Sequence, residues 1–219
     1  MRLYELAYAC SVYRIFQNYD IAYDKFLDDT KADLNMRKLE HRTALLNWLN
    51  GWGCRIESGF HPAISARLLD WFNNSEPKLP SIHKSLLQVS DTDLDNIAGI
   101  YESLSSMKAS DSRSIAPTAA SKILFALRKD VCPPWDRAMR KKGNYAEDAK
   151  SYKEWLLKTK RTLSQLEEDC SKFGINIYEL PKKICGKQYS LLKLLDEYNL
   201  VVITNRLNIP PPETIGEWH

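Results

Sequence analysis

An all-α fold is what this sequence predicts, and three observations predict it. Apolar residues recur at three- and four-residue steps along most of the chain. Glycine and proline are sparse, eight and ten in 219 residues, which leaves room for long helices. No stretch alternates strand and helix patterns, and no GxGxxG or Walker sequence occurs, which argues against nucleotide-binding α/β folds. With 44% hydrophobic and 27% charged residues, the chain can build a core and remain soluble, unlike a disordered chain. Its length fits one helical domain over residues 1–219. Within it we expect two packed lobes, near 1–108 and 109–208, and an irregular tail, 209–219.

The elements follow in order. Residues 2–18 place Leu3, Leu6, Ala7, Cys10, Val12, Tyr13 and Phe16 at helical steps, and a second helix is expected at 22–29. Residues 35–52 put Leu39, Ala44, Leu45, Trp48 and Leu49 on one face, with Gly51 and Gly53 as the stop. A helix at 61–72 ends at Asn73 and Asn74, and residues 73–81, with two prolines, form a loop. Residues 91–107 form a helix capped by Ser90 or Asp91. The polar run 108–114 is a turn, and Pro117 opens a helix over 116–127, where proline is tolerated in the first turn. Pro133 and Pro134 then interrupt the chain before a short helix at 135–142. The longest helix spans 147–173, with Leu156, Leu157, Leu163, Leu166 and Cys170 as its stripe and Gly174 as its end. The last helix spans 190–203, before the proline-rich tail.

No run of about 18 apolar residues occurs, so no membrane span is expected. The first sixteen residues are amphipathic and lack the apolar core of a signal peptide, so the expected location is cytoplasmic. The five cysteines (Cys10, Cys54, Cys132, Cys170, Cys185) and the four histidines (His41, His61, His83, His219) are scattered without zinc or iron–sulfur spacing. Reduced, mostly buried thiols, no bound metal and no cofactor are therefore expected.

The net charge is only +3, yet it is uneven. Residues 1–110 carry 12 Lys/Arg and 14 Asp/Glu, whereas residues 111–219 carry 19 and 14. Between Arg113 and Lys142 lie eight basic residues (Arg113, Lys122, Arg128, Lys129, Arg137, Arg140, Lys141, Lys142) against Asp130 and Asp136. Such density suits either a phosphate footprint or a solvated helix face. Asp136 follows the proline pair and opens the basic helix, where the positive end of the helix dipole favours a carboxylate.

The segment 110–143, read as polar turn, helix, proline connection, aspartate and basic helix, resembles the helix-hairpin-helix DNA glycosylase superfamily. Ser114-Ile115-Ala116-Pro117 matches the hairpin, residues 118–127 the second helix, Pro134-Trp135-Asp136 the loop and its aspartate, and Arg140 a later arginine. The resemblance implies a compact helical glycosylase-like fold and a cytoplasmic, monomeric enzyme of double-stranded DNA. Such an enzyme would hydrolyse the N-glycosidic bond of a damaged or modified base, with hypermodified phage cytosines and antiviral defence among the options. It implies that Asp136 stabilises the oxocarbenium-like transition state, with the target base flipped from the duplex.

Two departures shape this expectation. The hairpin lacks the family's glycines, and Pro117 has no N–H to offer a phosphate. Bifunctional members carry a lysine nucleophile 18 residues before the aspartate. Here that position is Thr118, and Lys122 stands one turn later. A monofunctional enzyme, with water as nucleophile and Lys122 as a secondary candidate, is therefore expected. Trp48, Trp52, Tyr101 and Trp135 are the candidate walls of a base pocket, and core packing is the alternative for each. Arg113, Ser114, Thr118, Arg137, Arg140, Lys141 and Lys142 are the candidate phosphate contacts. Asp136 itself reads either as a catalytic carboxylate or as a simple N-cap. A non-catalytic DNA- or partner-binding module is the alternative function.

Overall fold

Several helix starts in this chain are set by side chains that satisfy free backbone N–H groups. In the computed structural model, which describes residues 1–109 and 114–216, Ser90 caps Asp93, Asp148 caps Ser151 and Ser190 caps Lys193. The helices are α1 (Leu3–Phe16), α2 (Tyr19–Thr30), α3 (Leu39–Gly51), α4 (His61–Ser75), α5 (Asp91–Ser105) and α6 (Pro117–Leu127). They continue as α7 (Arg137–Gly143), α8 (Ala149–Lys172), α9 (Leu180–Cys185), α10 (Leu191–Asn199) and α11 (Pro212–Gly216). The fold is all-α. Among the described residues the only β-type pairing is one isolated bridge, Lys108 to Ser114. No helix among them is long and apolar enough to cross a membrane.

Helix packing wraps the chain back on itself. α2 packs on α3, α3 on α4 and α6, and α5 on α6 and α8, while α1 crosses to α8, α9 and α10. The first helix therefore sits with the last ones. One apolar core runs from Leu6 to Leu195 and includes residues on both sides of position 108, so no break in the core marks a lobe boundary there. Its densest part is aromatic. Trp48 packs 4.9 Å from Phe26 and 4.7 Å from Trp52, and Tyr23 contacts Trp48, Trp52, Phe125 and Tyr189. A second cluster joins Tyr101, Trp135 and Tyr152, with Tyr101 and Tyr152 stacked at 4.1 Å. Gly51 is required where α3 meets α2, because a Cβ there would lie 2.6 Å from that of Ala22.

Several expectations shift in detail. The stripe of α8 is wider than its leucines, taking in Tyr152, Trp155 and Thr159, whereas Leu157 stays only partly buried. In α1, Phe16 is exposed and Ala9 is buried instead. The tail, read as irregular, contains the short helix α11. Helix α9 carries too few apolar residues to announce itself, and it begins after a 3₁₀ turn with Pro181 in its first turn. The expected single helix over 190–203 is α10 followed by a π-turn, Leu200–Thr204. Cys10, Cys132 and Cys170 are buried and Cys54 and Cys185 half-buried, all five as free thiols.

Candidate functional site

The π-turn positions the site. It brings Thr204 against the start of α7, where the Thr204 hydroxyl donates to Asp136 Oδ2 at 3.1 Å. Asp136 Oδ1 accepts from the backbone N–H of Met139 at 2.8 Å. Asp136 is thus an N-cap, and its half-buried carboxylate also lines a cleft. The N-cap role therefore leaves the carboxylate at the cleft wall. The loop before it is anchored from below. Buried Ser121 on α6 accepts from the Trp135 N–H at 3.0 Å, which fixes the Pro-Pro-Trp-Asp turn over that helix.

The cleft has a volume of about 760 Å³ and is open to solvent. One wall is the N-terminal half of α6, with Ala116, Thr118, Ala119 and Lys122. A second is Asp136, Arg137, Ala138 and Lys141 of the α7 segment. A third is the turn after α3, Trp52 to Arg55, in which Gly53 and Arg55 adopt left-handed backbone conformations (φ 77° and 53°). Tyr13, Tyr19, Asp196, Leu200 and Thr204 complete the lining. A smaller chamber of about 190 Å³ adjoins it, sharing Cys54, Arg55, Ala116 and Ala119 and reaching Phe60, Ile64 and Ser114.

The candidate residues separate into those that reach this cleft and those that do not. Asp136, Lys122, Trp52, Thr118, Arg137 and Lys141 line it together. Lys122 is buried, donates to the Trp52 carbonyl at 2.7 Å and lies 5.2 Å from the centre of the Trp52 ring. Its ammonium therefore braces the turn after α3 as well as facing the cavity. Trp52 shows only an edge, since its ring is held by Phe125 and Trp48 and its Nε1 donates to the Tyr19 carbonyl.

Trp48, Tyr101 and Trp135 require correction as base-pocket walls. Each is buried among other aromatic rings and outside the lining, so no face is free to stack on a ligand. Arg140 requires correction as a phosphate contact. It is buried, and its guanidinium donates to Thr118 Oγ1 and the Trp135 carbonyl and pairs with Glu147, tying α6 to α7. Ser114 is exposed at the smaller chamber, and Lys142 is exposed but outside the cleft lining. Arg113 lies outside the described residues.

The sequence reading missed Asp196, Tyr13, Tyr19, Arg55 and Thr204. Asp196 is the most consequential. Burial first, and then the charges of Asp136 and Glu197, push its carboxyl up to about 6 against the pull of Lys193 and Lys122. Beneath it lies a buried ion network. Lys193 Nζ donates to Asp20 at 2.7 Å and to Glu197 at 2.9 Å, and Arg14 meets the other Glu197 oxygen at 2.7 Å. The same ammonium lies within 6 Å of the ring centres of Tyr13, Tyr23, Trp52 and Tyr189. Burial opposes its charge, but Glu197 and Asp20 more than offset this and hold the ammonium above its ordinary range. In the lone sequence, Asp196 reads as one more polar residue of DEYN, with nothing local to mark it.

In comparisons with known proteins, no family model, no curated protein and no solved structure matches the chain.

Proposed function

We propose that the protein is a monofunctional DNA glycosylase that hydrolyses the N-glycosidic bond of a modified base in double-stranded DNA. The observation that carries this reading is the convergence of Asp136 with a basic rim, Arg55, Arg137 and Lys141, on one cleft roomy enough for a flipped nucleotide. A carboxylate held by two hydrogen bonds needs no reorganisation when positive charge develops at C1′, so it stabilises the transition state more than the ground state. The rim would hold the flanking phosphates, and the edge of Trp52 would support the extruded base. Water attacks C1′ and Asp136 accepts its proton. Lys122 is committed to the Trp52 carbonyl, which favours water over an amine as the nucleophile.

The test is base release from duplexes carrying uracil, hypoxanthine, 7-methylguanine, 5-hydroxymethylcytosine or glucosylated 5-hydroxymethylcytosine, with abasic sites revealed by alkali. Wild-type protein is expected to release at least one base, and Asp136→Asn to lose about 10²–10³-fold in rate. Full activity in Asp136→Asn removes Asp136 from the chemistry. A second reading, a non-catalytic DNA-binding module, is favoured by the glycine-free hairpin with Pro117 at the start of α6. It predicts salt-dependent binding with no base released.

A further inference from the structure

One carboxyl of the cleft has no part in the scheme above. Asp196 lines the cleft with Asp136 and Lys122. Among the described residues its carboxyl group enters no hydrogen bond and no ion pair, and Lys193, one turn earlier on α10, is taken by Asp20 and Glu197. Charged and titratable groups face it from five helices: Tyr13 of α1, Tyr23 of α2, Lys122 of α6, Asp136 at the start of α7, and Lys193 and Glu197 of α10. A structural carboxylate in such surroundings would be paired with one of the lysines. This one is left open to the cavity.

We propose that Asp196 is a second catalytic residue, a general acid that protonates the departing base, and that the substrates are consequently neutral bases rather than cationic alkylated purines. This rests on the glycosylase reading of Asp136. The chemistry divides between two carboxyls in different settings. As the C1′–N bond breaks, its electron pair stays with the base, and the Asp196 proton goes to a ring nitrogen or exocyclic oxygen of that base. Water forms the new C1′–O bond and passes a proton to Asp136. Asp196 is left ionised and Asp136 protonated, and exchange with solvent restores both. A cationic alkylpurine departs as a neutral molecule and needs no such proton, whereas a neutral base would otherwise depart as an anion. A carboxyl raised to about 6 by burial and by the Asp136 charge holds its proton into the range where a general acid is useful.

The experiment measures single-turnover base release from pH 5 to 8.5 with the same duplex panel, for wild type, Asp196→Asn and Asp196→Glu. Binding to a duplex with a tetrahydrofuran abasic analogue and cooperative unfolding are followed in parallel, to show that the variants are folded. Wild type is expected to release a neutral base at a rate that declines above pH about 6. Asp196→Asn is expected to lose about 10²-fold or more on that base and to lose the declining limb, with analogue binding retained. Asp196→Glu is expected to keep the limb at a reduced rate. The proposal is overturned if Asp196→Asn retains the rate or the limb, or if wild type releases only 7-methylguanine. If wild type releases no base at all, the glycosylase reading fails and this proposal with it. Activity lost in Asp136→Asn but kept in Asp196→Asn sinks this proposal alone.

Discussion

A carboxyl raised by burial weakens the fold once it ionises, and Asp196 makes the consequence measurable. In the unfolded chain an aspartate titrates near 3.9, whereas in the fold Asp196 does so at about 6. Between those values the native state holds a proton that the unfolded state has released, so stability falls as pH rises from about 4 to about 6. The loss persists above that window. Asn at this position removes it, so Asp196→Asn is expected to be more stable than wild type by about 1–2 kcal/mol at pH 7.5. The full gap would give about 3 kcal/mol, but the side chain keeps some solvent contact through the cleft. Urea unfolding at pH 5 and pH 7.5 checks this: the gain should shrink at the lower pH, and an equal gain at both would contradict it. Asp136 was legible in the sequence because its placement is local, set by the prolines before it and the Met139 N–H after it. Asp196 was not, because its surroundings come from α1, α2, α6 and α7. Trp48, Tyr101 and Trp135 failed as pocket walls for the same reason, since a residue type does not reveal which neighbours the fold will pack around it.

Helix positions were legible wherever apolar spacing ran for three turns or more, as in α3, α5 and α8. The elements that shape the site are shorter: the turn after α3, the seven-residue α7 and the π-turn. Such pieces carry too few residues for a period, and tertiary contacts decide them. The joining of α1, α2 and α10 beneath the cleft is a case where those contacts are electrostatic. Arg14, Asp20, Lys193 and Glu197 come from three helices, and Lys193 and Glu197 are fully buried. Removing Lys193 leaves the buried Glu197 carboxylate with Arg14 as its remaining cation and takes the ammonium from Asp20. Lys193→Met is therefore expected to cost about 3–5 kcal/mol, measured by chemical denaturation. Lys193→Met combined with Glu197→Leu should recover part of that loss, because the second change removes a buried carboxylate that has lost one of its two cations. A double variant as unstable as the sum of the two single ones would show that no coupling exists between them.

At the scale of the whole molecule, the uneven charge seen in the sequence has a spatial counterpart, though not the one its spacing suggested. Arg140 goes inward to brace α6 against α7, while Arg55, from the acidic half of the chain, joins Arg137 and Lys141 at the cleft. A net charge of +3 provides little long-range attraction, and at physiological salt fields fade over about 8 Å. Binding to DNA should then depend on the few cations at the cleft rather than on the molecule's total charge. Each phosphate neutralised contributes about 0.9 to the slope of log affinity against log salt. Replacing Arg137 and Lys141 together by alanine should make that slope shallower by about 2 and weaken binding about equally for all sequences. Fluorescence anisotropy with one duplex across a salt series measures it. Lys142→Ala, one residue beyond the cleft lining, should leave the slope unchanged. Arg140→Ala should lower stability through the lost α6–α7 tie, with little change in slope. If the paired Arg137 and Lys141 replacement leaves the slope as it was, DNA does not engage this face, and the cleft serves some other ligand.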